Sequence, residues 1–180
     1  VQQGRAAFTQ TVTAPLRDGE AVARTRTSRG EFEFLRPDRF RFRYTQPFEQ
    51  VIVADGQTLW LYDPDLHQVT ARRQADVLAN TPAALLAAAP DLRAVRQAFT
   101  LSAGESRDGL QWVEAVPKAR DGQVQRIRIG FRQGQLEVLD ILDSFGQRSV
   151  MRFGPLDRST QFTAANFRFQ PPAGAEVLRQ

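Results

Sequence analysis

Residues 31–44 alternate rings and charges. They read Glu31-Phe32-Glu33-Phe34, a break at Leu35-Arg36-Pro37-Asp38, then Arg39-Phe40-Arg41-Phe42-Arg43-Tyr44. A period of two cannot form one face of a helix, whereas an extended strand sends successive side chains to opposite sides. The stretch is therefore read as a strand, a turn and a strand. Antiparallel pairing groups Phe32 and Phe34 with Phe40, Phe42 and Tyr44 on one face, and sets the Glu row beside the Arg row on the other. The charged face is expected outside in water, each cross-strand pair contributing roughly 0.2 to 1 kcal/mol.

The same period continues along the chain. Gln50 to Ala54, Thr58 to Tyr62 and His67 to Arg72 form a meander through turns at Asp55-Gly56 and Asp63-Pro64-Asp65. Further strands are expected at Phe99 to Ala103, Leu110 to Val116, Val124 to Phe131, Leu136 to Leu142 and Ser149 to Phe153, with a turn signal in each interval. Short strands on tight turns imply one large, curved antiparallel sheet of about ten or eleven strands, a mainly β chain. Asp76 to Ala98 breaks the pattern. It is rich in Ala and Leu, Thr81-Pro82 suits a helix start and Pro90-Asp91 a break, so helices inserted into the sheet are expected there. Val1 to Ala7 reads as the stub of a further short helix, with the helix itself truncated. All 180 residues are expected to form a single domain, since no shift in composition divides them.

Composition removes several function classes. There is no cysteine, so no disulfide scaffold, thiol catalysis, thiolate metal site or lipid attached to an N-terminal Cys is expected. The longest apolar run, Ala83 to Pro90, falls far short of the roughly 18 to 20 residues that span a bilayer. Val1-Gln2-Gln3 opens without a charged n-region and an apolar h-region, so any secretion signal is expected to have been removed. Nearly all the basic residues are Arg, Lys118 being the only lysine, yet the formal charge is only +4, which allows an anionic partner without requiring one.

Candidate catalytic groups are few. His67 is the only histidine and is read as a surface strand residue, with no Cys or second His to complete a metal site. The pairs Asp63 with Asp65 and Asp140 with Asp143 read as turn chemistry rather than as an acid and a base. No Gly-x-Ser-x-Gly elbow is present. Neither a cofactor nor an enzymatic role is expected. Residues 39–44 mix cations and rings as single-strand nucleic-acid binders do, but on a strand the two types lie on opposite faces, whereas a stacking platform needs them on one.

An ordered set of landmarks then resembles a known family. These are Phe8-Thr9-Gln10; Gly30 with Phe32 and Arg36-Pro37-x-x-Phe40; Gln46-Pro47; residues 53–63, Val-Ala-Asp-Gly-Gln-Thr-Leu-Trp-Leu-Tyr-Asp; Asn80-Thr81-Pro82; Pro117-Lys118; Asp143 with Gly146-Gln147; and Phe167-x-Phe169-x-Pro171-Pro172. Over nearly its whole length the chain resembles the outer-membrane lipoprotein carrier family, LolA. That resemblance implies an incomplete, unclosed antiparallel β-barrel with a small helical lid over an apolar cavity. It also implies a monomeric periplasmic carrier that takes acylated lipoproteins from an inner-membrane lipoprotein-releasing ABC transporter to the outer-membrane receptor LolB. LolB shares the fold but is anchored through a lipidated Cys, which this sequence lacks.

The resemblance further implies that Arg36 latches barrel to lid and that Phe40 lies near the cavity mouth. Phe32, Phe34, Phe42, Tyr44 and Trp60 are expected to wall the cavity with Phe40, and Leu85 and Leu86 to cap it. A carrier of another lipid or amphiphile, and more remotely a single-stranded nucleic-acid-binding β-barrel, stay open as alternatives.

Overall fold

A computed structural model describes residues 2–78, 96–97, 99–119 and 122–180, with 77 and 78 in backbone only. Most of them are strand: β1 (Gln3–Thr13), β2 (Thr25–Leu35), β3 (Arg39–Gln46), β4 (Gln50–Asp55), β5 (Thr58–Asp63), β6 (Gln68–Arg73), β7 (Phe99–Ala103), β8 (Gln111–Pro117), β9 (Val124–Arg132), β10 (Gln135–Asp143), β11 (Arg148–Phe153) and β12 (Glu176–Arg179). One short helix, α1 (Gln74–Leu78), and a 3-10 turn at Ala164–Phe167 complete the described elements. The hydrogen-bonded order is β12-β6-β5-β4-β3-β2-β1-β11-β10-β9-β8-β7, a sheet with two free ends that does not close. No described helix is long and apolar enough to cross a membrane.

The ten strands read from the sequence are present, and two were missed. The supposed helical stub is the first half of β1. Gly4, Ala6 and Phe8 alternate onto one side of it, and Ala6 and Phe8 are buried. Small residues are needed there because a Cβ at Gly4 would come within 2.6 Å of the Leu156 side chain and 3.3 Å of the Phe34 ring. Packing thus overrides the helical preference of the two alanines. The other omission, β12, is only four residues long and pairs parallel with β6, Val177 opposite Val69, in a sheet otherwise antiparallel. Of the expected helical insertion, α1 and residues 96–97 are helical, while Thr81-Pro82, Leu85, Leu86 and Pro90-Asp91 lie outside the described residues.

The chain forms two compact units. The first comprises Val1–Ala7, Ser28–Pro90 and Pro155–Gln180. Within it Phe32 pairs with Phe42 and Phe34 with Phe40, while Glu31 faces Arg43 and Glu33 faces Arg41, as the alternation required. The opposite face continues from Glu33 and Arg41 through Val53, Trp60 and Ala71. Around Glu33 it is not a solvated face, which corrects the sequence reading there, while Glu31 and Arg43 are exposed as expected. The C-terminal stretch lies over it: Val53, Trp60, Val69 and Ala71 form a buried cluster packed by Phe169, Ala175 and Val177. Beside that cluster Arg41 Nη1 donates to the Asn166 carbonyl at 3.2 Å, with its guanidinium 6.0 Å from the Phe167 ring centre.

Under this cover Glu33 is 2% exposed and meets three arginines. Arg41 donates to one carboxylate oxygen, and Arg5 and Arg43 each lie 3.5 Å from the other. Asp63 behaves as expected, its Oδ1 accepting the N–H groups of Asp65 and Leu66. His67 does not sit on a strand. It closes the same turn in a left-handed conformation, φ 50°, with its Nε2 3.3 Å from the Ala173 carbonyl oxygen.

The second unit comprises Phe8–Thr27 and Asp91–Gly154. Phe8 pairs with Phe153, and Met151, Leu139, Ile127 and Ala115 join their buried apolar face. Alternation puts Asp140 on the other face, where it is buried and takes a two-pronged contact from Arg148, Nε to Oδ1 at 3.0 Å and Nη2 to Oδ2 at 2.7 Å. Asp143 does cap the next turn, accepting from the N–H groups of Phe145 and Gln147. Asp140 is therefore an ion-pair residue, not a turn residue.

Candidate functional site

The aromatic row of the first unit is built by register. Side chains directly opposite one another on antiparallel strands share a face, so Phe32, Phe34, Phe40, Phe42 and Tyr44 fall together. Their face continues through Ile52 and Ala54 on β4 to Leu59 and Leu61 on β5. The rings touch: Phe32 lies 4.5 Å from Phe42 and 5.7 Å from Phe34, and Phe40 meets Phe42 edge-on at 5.8 Å. Five aromatic side chains from two strands thus share one apolar face.

Tyr44 carries the one hydroxyl of this set, and burial pushes its pKa up to about 12. The phenol is held neutral because its anion would lose water. Its contribution to stability is then complete below the ordinary tyrosine range near pH 10 and is lost as the pH rises toward 12. An ultraviolet titration should resolve one of the two tyrosines ionising close to pH 12, and Tyr44→Phe should remove that step. Absence of any step near pH 12 in the folded protein would contradict the burial.

Arg36 stands at the end of this face. Its guanidinium lies 5.2 Å from the Phe34 ring centre, and its backbone N–H donates to the Gln2 carbonyl at 2.8 Å. Nε and Nη1 are enclosed and find no hydrogen-bond acceptor among the described residues. Desolvation accordingly lowers its pKa from the usual arginine value. A half-buried cation with unmet donors is costly unless acceptors arrive from elsewhere.

No sequence signal marks Gln74, at the start of α1. Its Nε2 donates to the Asp38 carbonyl at 2.6 Å, its Oε1 accepts from Gly56 N at 2.9 Å, and its own N–H donates to the Gln57 carbonyl at 2.8 Å. This buried side chain ties the Arg36 to Asp38 turn, the Asp55-Gly56 turn and the start of the helical segment to one another. Glutamine has no motif of its own, and only its position between two turns reveals the role.

Two expected site residues stand differently, and two more are not described. Trp60 is not part of the aromatic row, because its register with Val53 and Ala71 puts it on the opposite face. There its ring lies 5.4 Å from Phe169 and its Nε1 donates to Asp55 at 3.0 Å. Burial raises the pKa of Asp55, but hydrogen bonds from Thr58 N, Trp60 Nε1 and Gln57 N, with the charge of Arg39, outweigh it and leave the group below the usual carboxylate value. Phe40, expected beside a cavity mouth, is wholly enclosed at 0% exposure. Leu85 and Leu86 lie outside the described residues.

The family model described as "Outer membrane lipoprotein carrier protein LolA" matches residues 1–170. The chain is 59% identical to the outer-membrane lipoprotein carrier protein of Albidiferax ferrireducens, over all of this chain and 86% of that one. It is 51% identical to the protein of the same name from Leptothrix cholodnii, over all of this chain and 81% of its relative. Among solved structures, a LolA superfamily protein from Nitrosomonas europaea superimposes with a TM-score of 0.52 over 93% of this chain and 90% of the other, at 13% identity, which bears on the fold alone. An unclosed sheet with a clustered aromatic face, and sequence identity extending over the whole chain, lead to one assignment: the chain belongs to the outer membrane lipoprotein carrier protein family, LolA.

Proposed function

We propose that this protein is a non-enzymatic periplasmic carrier that covers the acyl chains of lipoproteins with the aromatic face of β2 and β3. In this reading it receives them from an inner-membrane lipoprotein-releasing ABC transporter and delivers them to LolB. The observation that carries the reading is the convergence of Phe32, Phe34, Phe40, Phe42 and Tyr44 beside an arginine whose Nε and Nη1 meet no acceptor among the described residues. Each exposed methylene of an acyl chain costs about 0.8 kcal/mol in water, so a lipoprotein crosses an aqueous space only when its chains are covered. The rings are now buried against one another, and cargo enters by replacing those contacts.

Arg36 supplies the control. Its unmet N–H groups are proposed to bind the lid segment 76–98 when the carrier is empty and to give up those bonds on loading. Loading then has a cost, and release to a receptor recovers it. The test mixes the protein with a purified triacylated lipoprotein as detergent is diluted away, and looks for a soluble complex by gel filtration. A complex is expected with the acylated cargo and not with its unacylated counterpart. Arg36→Leu should still load but pass cargo to LolB at least about tenfold more slowly, the equivalent of about 1.4 kcal/mol. Absence of any complex with folded protein would reject the carrier, uptake of plain lipid in preference to lipoprotein would reassign the cargo, and unimpaired release by Arg36→Leu would reject the latch.

A further inference from the structure

A groove of about 290 Å3 lies on the polar face of the second unit, apart from the aromatic row. It begins at Arg148 and Arg152 on β11, crosses Asp140 on β10, Arg128 on β9 and Glu114 on β8, and ends in the loop after β7. These four strands are consecutive in the sheet. At about 4.8 Å per neighbour the floor measures about 14 Å before the loop is added, and four residues of extended chain cover about 13 Å. A lone phosphate or acetate would leave most of it empty.

Four arginines and four carboxylates line the groove, so its formal charges cancel, but they are engaged unequally. Asp140 is held from two sides by Arg148, and Glu114 stands 3.9 Å from Arg128, so the middle is neutralised internally. Arg152, at one end, forms no ion pair or hydrogen bond with its side chain among the described residues. At the other end Glu105 and Asp108 outnumber Arg107, and none of the three side chains is in an ion pair among the described residues. The unmatched charge is therefore positive at the β11 end and negative at the loop end. Between them the Trp112 indole gives an apolar patch, and Val150 adds to it from β11. The Trp112 indole can lie flat there because its cross-strand partner is Gly130, where a Cβ would stand 3.2 Å from the ring.

We propose that this groove docks an extended segment of another polypeptide that bears a carboxylate and a cationic side chain four residues apart. The carboxylate pairs with Arg152, the cation with Glu105 and Asp108, and small apolar side chains between them cover Val150 and Trp112. This site is independent of the acyl-binding reading, and neither depends on the other.

The protein has two tryptophans, one in each unit, so their indole N–H signals in a 1H–15N spectrum of the whole chain provide a probe and an internal control. The peptide acetyl-Glu-Val-Thr-Val-Lys-amide should shift the Trp112 signal saturably, with half-saturation at about 1 mM or below in low salt, and leave Trp60 in place. Arg152→Gln should weaken that response about tenfold. Arg152→Glu should abolish it and create a response to acetyl-Lys-Val-Thr-Val-Lys-amide that the native protein lacks, a gain that a misfolded variant cannot produce. An equal response to acetate or inorganic phosphate would make this a simple anion site and overturn the proposal. So would no shift at Trp112, or an Arg152→Gln variant that binds the first peptide as well as the native chain does.

Discussion

Phe40→Ala should lower the free energy of unfolding by about 3 to 5 kcal/mol in a urea titration, against under about 1.5 kcal/mol for Phe40→Leu. Phe40 is completely buried, with Phe34 on one side in the sheet, Ala54 on the other, and its ring set edge-on to Phe42 and tilted against Phe32 at 6.5 Å. Alanine would remove the transfer free energy of a whole ring, leave a void that a sheet can close only in part, and forfeit two aromatic contacts of about 0.5 to 1.5 kcal/mol each. Leucine keeps most of the volume. In a protein whose total stability is on the order of 5 to 15 kcal/mol, the alanine variant would lose a large share of it. A loss below about 1 kcal/mol would show that the ring faces open space in the unloaded carrier, with cargo entering a void rather than displacing side chains.

How far the sequence discloses this depends on what each residue's neighbours are. The β2 and β3 hairpin was legible because rings and charges alternate there, and one choice of pairing satisfies both rows; Phe32 opposite Phe42 and Glu33 opposite Arg41 follow. Trp60 was misplaced for the converse reason. Leu59-Trp60-Leu61-Tyr62 is apolar at every position, so parity carries no information until the register with Val53 fixes the face. Asp140 was read as a turn residue because Asp143 is one, although three further residues of strand, Ile141 to Asp143, follow it before the turn that holds Gly146. That the Glu33 face is covered could not be seen locally at all. The covering residues Phe162, Phe167 and Phe169 lie more than a hundred positions away, in a segment without clear periodicity.

That covered face sets the other large effect. Glu33→Ala should cost about 3 to 5 kcal/mol, Glu33→Gln roughly half as much, and Arg43→Ala under about 1 kcal/mol. Glu33 is the shared anion of three cations whose own side chains remain partly in water, from 25% exposed at Arg41 to 46% at Arg43. Removing an exposed arginine leaves the carboxylate two partners, whereas removing the carboxylate leaves Arg41 beneath the C-terminal stretch with the Asn166 carbonyl and without this counter-charge. Glutamine would keep an acceptor for Arg41 and lose only the charge, hence the intermediate value. The effect should also travel along the contact that Arg41 makes. Amide exchange at residues 162–169 should accelerate in Glu33→Ala and stay unchanged in Arg43→Ala, because Arg41, not Arg43, donates to the 3-10 turn and lies over Phe167. Equal protection in both variants would mean that Phe167 and Phe169 hold the C-terminal stretch by burial alone, and that the ionic cluster is merely accommodated beneath it.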